Sequence, residues 1–485
     1  MADPCLGSAT ALLAALGTRE LRSRDLLERY LDRVARLGPK LNAVVTLDAE
    51  RAREAADRAD RTLASGGAVG PLHGLPITVK DTLETAGLRT TAGAEVFSGH
   101  VPATDATAVA RLRAAGAVVF GKTNTPTFAA DVQTYNPVFG TTNNPWDLAR
   151  SPGGSSGGSA AATAAGLSGL ELGSDIGGSI RTPAHYCGVY GHKPTYGIVP
   201  TRGHIPGPPG TLAEVDIAVV GPLARAAEDL DLALSVLAGP DEERATAWRL
   251  ELPPPRHARL QDYRVAAWLD EPSCPVDAAV RERHEAIVAA LARAGVRVDD
   301  RARPAVPFAE AYRDYRSLLW PIMLAEMPAD QFEALAGLAA SASGDDAPPA
   351  VDFARAATIR HRDWLAVNEA RARYRAAWRD FFARFDVLLC PIVPTAAIPH
   401  DQSQPLDQRT ITVNGRPRPY LDQIAWAGLI GMAWLPATMA PAGRTKEGLP
   451  VGVQIVGPYL EDRTPIEFAR FLADVAGGFT PPPGY

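Results

Sequence analysis

The chain has 485 residues, of which 46% are hydrophobic and 21% are charged, and its formal net charge is −6. This is the composition of a globular protein with enough apolar material for a large core. A mildly acidic chain gives no electrostatic reason to expect a nucleic acid or an anionic membrane as a partner.

The four cysteines lie far apart, without the spacing of a metal or redox motif. They are Cys5, Cys187, Cys274 and Cys390. We therefore expect reduced, mostly buried thiols and no disulfide framework or zinc site. The first residues lack the basic segment of a secretory signal, and no apolar run reaches membrane-spanning length. These features predict a cytoplasmic protein.

In chain order, predicted helices alternate with predicted strands, which is typical of a wound α/β sheet. Helices are expected at 26–34, 49–64, 105–115, 223–238, 276–294 and, with a break at 341–350, at 304–380. Strands are expected at 77–80, 117–120, 263–268, 296–299, 386–393 and 449–456. We predict one α/β/α domain over residues 1–485, with a mostly helical insertion at 301–380. The proline- and glycine-rich segment 183–210 must be irregular, and such loops commonly line sites.

Two serine clusters set in glycine stand out, at Gly153–Ser159 and Asp175–Arg181. An Ala-, Thr- and Leu-rich run between them is long enough for three or four helical turns. Glycine beside serine lets backbone amides approach a reacting atom, and acyl transfer needs a hydroxyl nucleophile, a proton relay and such amides. The alternative is a flexible linker. The intervening helical run and the continuation into Arg181-Thr182-Pro183 argue against it.

Two other motif matches lack their structural context. Residues 116–123 fit the phosphate-loop pattern, but the intervening AVVF favours a strand, so Lys122 is expected to be structural or solvated. Nucleotide binding through 116–123 is the alternative of another class. Residues 153–157 fit the nucleophile elbow of α/β-hydrolases, but no apolar strand precedes them. His185 and His192 are expected to be structural or to line a pocket.

The segment 151–181 resembles the defining segment of the amidase signature family of serine hydrolases. The likeness extends to GLPITVKD at 74–81 and LPVGVQIVG at 449–457. In that family a Ser–Ser–Lys triad is catalytic, and motif by motif it falls on Lys80, Ser155 and Ser179, with Ser155 following a cis peptide bond. The resemblance also implies a central mixed β-sheet flanked by helices and a catalytic core at 70–240.

Lys80 is suited to act as the base if burial keeps it uncharged. It follows the apolar run Leu75–Val79 at a predicted strand end, and a buried lysine loses its preference for the charged form. Ser155 would then relay the proton of Ser179 to Lys80. An ion pair between Lys80 and Asp81 is the alternative.

The resemblance assigns further roles around the triad. Ser156 and Ser174 would hydrogen-bond Lys80, and Asp175 and Arg181 would brace the nucleophile loop. Backbone amides would form the oxyanion hole at Ile176, Gly177, Gly178 and Ser179. Substrate-binding residues are expected at Thr134, Tyr135 and Gly154. His192 and residues 430–438 depart from the family pattern, which bears on specificity on the acyl side.

The aromatic residues of 304–380 suggest an apolar substrate, although each of them alone could be plain core. We expect a small-molecule substrate, an aryl or hydrophobic carboxamide, with carbamates (a urethanase activity) and esters as further candidates. No cofactor or metal is expected, and the assembly would be a monomer or homodimer. Within the family, the alternative is the glutaminase subunit of a tRNA-dependent amidotransferase, which needs partner chains.

Overall fold

A computed structural model describes residues 3–205, 207–341 and 348–485. Its helices are α1 (Ala9–Gly17), α2 (Ser23–Leu41), α3 (Ala49–Ala64), α4 (Thr107–Ala114), α5 (Gly157–Ala164), α6 (Arg181–Cys187), α7 (Ala227–Leu237), α8 (Ala278–Arg293), α9 (Phe308–Met323), α10 (Ala329–Ala340), α11 (Pro349–Ala357), α12 (His361–Phe382), α13 (Ala425–Met432) and α14 (Arg463–Ala476). Its strands are β1 (Val44–Leu47), β2 (Pro76–Lys80), β3 (Val118–Thr123), β4 (Tyr135–Asn136), β5 (Gly140–Thr141), β6 (Glu171–Asp175), β7 (Tyr190–Lys193), β8 (Val219–Ala224), β9 (Val265–Ala267), β10 (Val298–Asp299), β11 (Val387–Cys390), β12 (Thr410–Val413), β13 (Arg416–Pro419), β14 (Ala437–Arg444) and β15 (Pro450–Val456).

Eleven strands form one sheet in the order β1-β3-β2-β6-β8-β7-β14-β15-β11-β9-β10. Strand β2 is parallel to both β3 and β6, and β9 is parallel to β10 and β11, whereas the remaining neighbours are antiparallel. The sheet is therefore mixed, and the predicted α/β fold with helices around a central mixed sheet is confirmed.

The strands around the centre of the sheet are buried along their whole length. Every residue of β2, β3, β6, β8 and β15 is buried. Helices cover both sides of the sheet, so these strands are buried on both faces. Their sequences are therefore continuous runs of apolar or small residues and do not alternate between apolar and polar residues. Ionisable side chains that these strands carry, such as Lys80, are consequently withdrawn from water.

Several predicted boundaries are wrong for identifiable reasons. The run between the two serine clusters is not one long helix: α5 ends at Ala164, and the same run then enters strand β6. The helix predicted over 223–238 begins at Ala227, because residues 219–224 form strand β8. Small residues and glycine carry no strong periodicity, so these buried strands look like helix or loop.

Helices α9 to α12 lie within 308–340 and 349–382, which agrees with the mostly helical character predicted for this part of the chain. The predicted break at 341–350 falls largely on 342–347, which lie outside the described residues. The four cysteines are buried and free. Within the ranges that the structure covers, none of the helices combines the length and the apolar character needed to cross a bilayer.

Candidate active site

Three segments meet at the carboxyl end of strand β2. Lys80 is the last residue of β2, and the parallel neighbour β6 ends in Ser174 and Asp175. The loop before α5 brings Ser155 to the same place. Ligand sites of open α/β sheets commonly form at the carboxyl ends of parallel strands, because both chains turn away from the sheet there.

Lys80 is fully buried and hydrogen-bonded to two serines. Its Nζ donates to Ser155 Oγ at 2.6 Å and to Ser174 Oγ at 3.0 Å. Burial lowers the pKa of Lys80 to about 7, although the negative charge of Asp175 opposes that shift. A substantial fraction of the amine is therefore uncharged near neutral pH and can accept a proton.

The loop of Ser155 is packed tightly against the loop of Ser179. The Gly154–Ser155 peptide bond is cis, as the family resemblance implies. A Cβ atom at Gly154 would lie 2.6 Å from the Gln133 carbonyl oxygen, so only glycine fits there. The Ser156 amide donates to the Ser179 carbonyl at 3.0 Å, which ties the two serine loops together.

Asp175 and Arg181 brace the turn that carries Ser179. Arg181 donates from Nη2 to Asp175 Oδ1 at 2.8 Å and from Nε to Oδ2 at 3.0 Å, and neither side chain is exposed. Asp175 also accepts the amides of Gly178 at 2.8 Å and Ile180 at 3.1 Å. Burial alone would raise the pKa of Asp175, but the Arg181 charge outweighs it and the pKa falls to about 2.

The prediction for the oxyanion hole needs one correction. The Gly178 amide is directed at Asp175, so it is not free to bind a substrate oxygen. This bond belongs to the tight turn, in which Gly178 has a φ of +107°, a region that favours glycine. The amides of Ile176, Gly177 and Ser179 remain as candidate donors.

Two other predicted contacts are not formed. Ser156 does not contact Lys80: its Oγ donates to the Ser174 carbonyl at 3.2 Å instead. The alternative ion pair between Lys80 and Asp81 is also absent from the described residues, because Asp81 accepts hydrogen bonds from the amide and hydroxyl of Thr91. Ser156 directly follows Ser155, and Asp81 directly follows Lys80. The sequence pattern alone does not show which residue of each pair points toward the site.

Thr134 and Tyr135, predicted to bind substrate, hydrogen-bond to residues around the site and do not line the cavity beside Ser179. Thr134 Oγ1 donates to the Gly153 carbonyl at 2.8 Å, and Tyr135 donates to Asp131 at 3.0 Å. Asp131, which the sequence does not single out, lies in the cavity wall. It also accepts hydrogen bonds from Arg409 at 2.8 Å and Tyr420 at 2.6 Å.

A cavity of about 290 Å³ opens beside Ser179. One wall comes from the nucleophile loop, and the facing wall comes from helices α9 and α11 and from the segment around residues 420–424. Its apolar lining includes Val132, Leu319, Trp320, Met323, Leu324, Phe353, Leu406, Leu421 and Ile424. Helices α9 and α11 belong to the aromatic segment 304–380, so this segment contributes part of the cavity wall, as predicted from its composition.

A second, smaller chamber of about 30 Å³ touches both Ser155 and Ser179. It shares Ala129, Ile176, Ser179 and Met323 with the larger cavity, so the two spaces meet at Ser179. Its wall includes His204 from the irregular segment 183–210. The composition of that segment predicts an irregular loop that lines the site. Nothing in the sequence distinguishes His204 from the other residues of this loop.

The lysine of the rejected phosphate-loop pattern and the two histidines His185 and His192 have structural roles. Lys122 is buried within strand β3, so residues 116–123 do not form a phosphate loop. Its Nζ donates to Thr85 Oγ1 at 2.8 Å and to the Leu83 carbonyl. His185 bonds the backbone of Gly452 and Thr395, and burial lowers its pKa to about 4. His192 packs against Thr438 and Asp462 in the core.

Comparison with known proteins agrees with this geometry. The family model described as Amidase matches residues 25–465. A glutamyl-tRNA(Gln) amidotransferase subunit from Synechococcus sp. is 33% identical over 479 residues, covering 93% of this chain and 88% of that protein.

Among solved structures, 6-aminohexanoate cyclic dimer hydrolase has a TM-score of 0.78 at 28% identity, covering 100% of this chain and 99% of the other. A bacterial aryl acylamidase of the amidase signature family has a TM-score of 0.82 at 24% identity, covering 98% and 97%, which shows the same fold. The chain is therefore a member of the amidase signature family of serine hydrolases.

Proposed function

We propose that the chain hydrolyses the C–N bond of apolar carboxamides through an acyl-enzyme on Ser179. The observation that carries the proposal is the buried hydrogen bond from Lys80 to Ser155, beside a cavity that touches Ser179. A serine hydroxyl is a weak nucleophile unless a base accepts its proton. An uncharged lysine amine can be that base, and Ser155 can connect the two.

In the proposed mechanism, Ser179 Oγ attacks the amide carbon while its proton passes to Ser155 and the Ser155 proton passes to Lys80. The amides of Ile176, Gly177 and Ser179 are the candidate donors to the oxygen that becomes negative. The proton then returns through Ser155 to the leaving nitrogen, the C–N bond breaks, and Ser179 carries an acyl ester. Water attacks that ester and releases the acid.

The lining of the larger cavity supports an apolar acyl group, aliphatic or aryl. A volume of about 290 Å³ with leucine, methionine and aromatic walls favours apolar surface over charged groups. Carbamates and esters of the same shape present the same carbonyl, so we include them as secondary substrates.

A second candidate function is the glutaminase subunit of a tRNA-dependent amidotransferase. The names of the curated relatives favour it, since relatives at 32–33% identity over more than nine-tenths of this chain carry that name. Free glutamine has an ammonium and a carboxylate that need charged partners. The cavity wall offers the Asp131 carboxylate, whose charge Arg409 already neutralises in a pair at 2.8 Å. We therefore rank apolar amides first.

Substrate comparison separates the two candidates. Purified protein would be assayed with L-glutamine and with a primary amide of a medium-length or aryl acid, following ammonia release. We expect turnover of the apolar amide and little of glutamine by the isolated chain. Turnover of glutamine alone would favour the amidotransferase function and contradict the apolar-amide proposal.

Labelling with a fluorophosphonate, followed by peptide mass mapping, tests the nucleophile. We expect one modified serine, Ser179, and no labelling of the Ser179→Ala variant. Ser156→Ala is the matched control, because this serine lies in the same loops but does not contact Lys80. Modification of another serine would remove Ser179 from the mechanism.

A further inference from the structure

The small chamber contains a histidine that the triad does not use. His204 lies in its wall, and within the ranges that the structure describes its Nε2 is shielded from solvent and has no hydrogen-bond partner. The backbone fixes the residue, because its amide donates to the Thr201 carbonyl at 3.0 Å and its main chain bridges to Leu83. Leaving a buried polar atom without a hydrogen-bond partner costs folding free energy, so we expect this nitrogen to bind a ligand or a water molecule.

The size of the chamber limits what can occupy it. Its volume of about 30 Å³ is enough for one or two molecules of water size, since a water needs roughly 10–15 Å³. The polar residues in its wall are Ser155, Ser174, Asp175, Ser179 and His204, whereas the rest includes Phe128, Val215, Ile322 and Met323. It is thus a small space with a mostly apolar wall that borders both Ser155 and Ser179, and an occupant has only a few polar groups to bind.

The two spaces around Ser179 differ in size and lining, and we compare them with the acyl group and the leaving amine of an amide substrate. The larger cavity is apolar and touches Ser179 but not Ser155. The small chamber touches Ser155, which in the proposed mechanism gives its proton to the leaving nitrogen. A leaving group must be on the side of its proton donor, so it belongs in the small chamber.

We propose that this chamber receives an ammonia-sized leaving group and then the hydrolytic water, and that His204 is their hydrogen-bonding partner. The inference rests on the proposed function and adds the substrate class: primary carboxamides with a bulky apolar acyl group. His204 is a residue that positions small molecules at the reacting carbon and does not carry the proton itself.

The chemistry of both half-reactions fits this role. In acylation, the Ser179 Oγ–C bond forms, the C–N bond breaks, and ammonia leaves with the proton from Ser155. In deacylation, the water oxygen bonds to the acyl carbon, the C–Oγ bond breaks, Ser179 regains a proton, and the carboxylic acid leaves. Burial, with the nearby charge of Lys80, lowers the pKa of His204 to about 3. A neutral imidazole offers one donor and one acceptor, so it can orient ammonia or water without being protonated.

Leaving-group selectivity tests the proposal. Primary, N-methyl and N-butyl amides of one apolar acid would be compared by kcat/KM. We expect the wild type to prefer the primary amide over the N-butyl amide by tenfold or more, because the butyl group exceeds the chamber. His204→Ala should lower kcat/KM for the primary amide by about tenfold and reduce that preference, since one hydrogen bond is lost and space is gained. His204→Gln, which keeps a polar amide, should recover part of the loss.

Partitioning of the acyl-enzyme supplies a readout that a merely structural role would not change. With hydroxylamine present, the Ser179 ester gives either the acid or the hydroxamic acid. If His204 holds the water, His204→Ala should shift the products toward hydroxamic acid several-fold. Val215→Ala, which enlarges the chamber, should raise the N-methyl to primary amide ratio without that shift.

His284→Ala is the matched control. His284 is also a buried histidine with an unpartnered ring nitrogen, but the chamber wall does not include it. This change should leave both ratios unaltered, even if it lowers stability. Unchanged selectivity and partitioning in both His204 variants would overturn the proposal while Ser179 labelling persists. Failure of the proposed function would show differently, as loss of labelling and turnover in the wild type.

Discussion

Lys80 shows how the position of a single residue sets its chemistry. Its side chain leaves the end of a strand buried on both faces, and among the described residues its amine is hydrogen-bonded to two serine hydroxyls. Burial lowers its pKa to about 7. Lysines at the surface stay charged at that pH, so position rather than residue type makes this amine available as a base.

Replacing this lysine should abolish activity and stabilise the fold. We expect Lys80→Met to lower kcat by about 10³-fold or more, because the proton of Ser179 loses its acceptor. Because burial lowers the pKa of Lys80 in the folded state, this lysine destabilises the fold at every pH below its ordinary pKa of 10.5. The destabilisation is largest at pH values below about 7, where the buried amine must carry a charge.

The gain in stability from Lys80→Met should therefore be on the order of 1 kcal/mol or more at pH 6 and should shrink as the pH rises toward 10. Urea unfolding at several pH values would measure it. A variant that is both inactive and less stable at pH 6 would contradict a buried, destabilised amine.

Ser155 offers a second test at the same scale. Ser155→Ala removes the relay but leaves Lys80 bonded to Ser174, so we expect a loss of at least 10²-fold in kcat with little change in KM. Ser156→Ala is the control and should stay within a few-fold of wild type, because in the described part of the chain its hydroxyl is hydrogen-bonded only to the backbone of Ser174. Equal losses in both variants would indicate a general disruption of the loop.

At the scale of elements, the turn between β6 and α6 depends on one buried ion pair. Asp175 accepts hydrogen bonds from the Arg181 side chain and from the backbone amides of Gly178, Ile180 and Arg181, and both side chains are withdrawn from water. Removing one partner of such a pair leaves a buried charge unpaired, which typically costs about 3–5 kcal/mol. The pair thus holds the turn on which Ser179 sits.

We expect Arg181→Met to destabilise the protein by about 3 kcal/mol or more and to lower activity, because Asp175 would keep an unpaired charge. Thermal unfolding and the rate of fluorophosphonate labelling would measure the two effects. Arg379→Met is the control, since its side chain is 76% exposed and pairs at the surface. A stable, fully active Arg181→Met variant would show that the turn does not need the pair.

Sequence reasoning located these elements unevenly. Lys80 can be found because a single lysine ends an apolar run, and the serine clusters can be found because glycine surrounds them. The cluster of Asp131, Arg409 and Tyr420 cannot be found that way, because its members lie up to 289 positions apart. Strand β6 is missed since glycine and serine interrupt its apolar pattern.

At the scale of the whole molecule, the sheet order brings distant parts of the chain to one site. Strands β2 and β6 are neighbours, while helices α9 and α11, more than 130 residues further along, close the cavity over Ser179. Helix α9 is fastened directly to the nucleophile loop, because Tyr315 donates to the Ile176 carbonyl at 3.1 Å. Much of the cavity wall therefore comes from elements other than those that carry the proposed triad.

This division predicts that changes in the helices alter selectivity without removing catalysis. Phe353→Ala should enlarge the cavity, raise KM for short acyl amides several-fold and favour longer acyl chains, with kcat largely kept. Steady-state kinetics on amides of increasing acyl length would measure it. The outcome would be contradicted by a fall in kcat that is the same for every substrate.

The pH dependence of Ser179 labelling tests the central claim most directly, because it reports the nucleophile without a substrate. We predict that the second-order rate of fluorophosphonate modification falls about tenfold per pH unit below an apparent pKa near 7 and levels off above it. Lys193, whose pKa burial also lowers to about 7, provides the control, and Lys193→Met should keep this profile. A profile that is flat from pH 5 to 9, or one that disappears in Lys193→Met, would contradict Lys80 as the base.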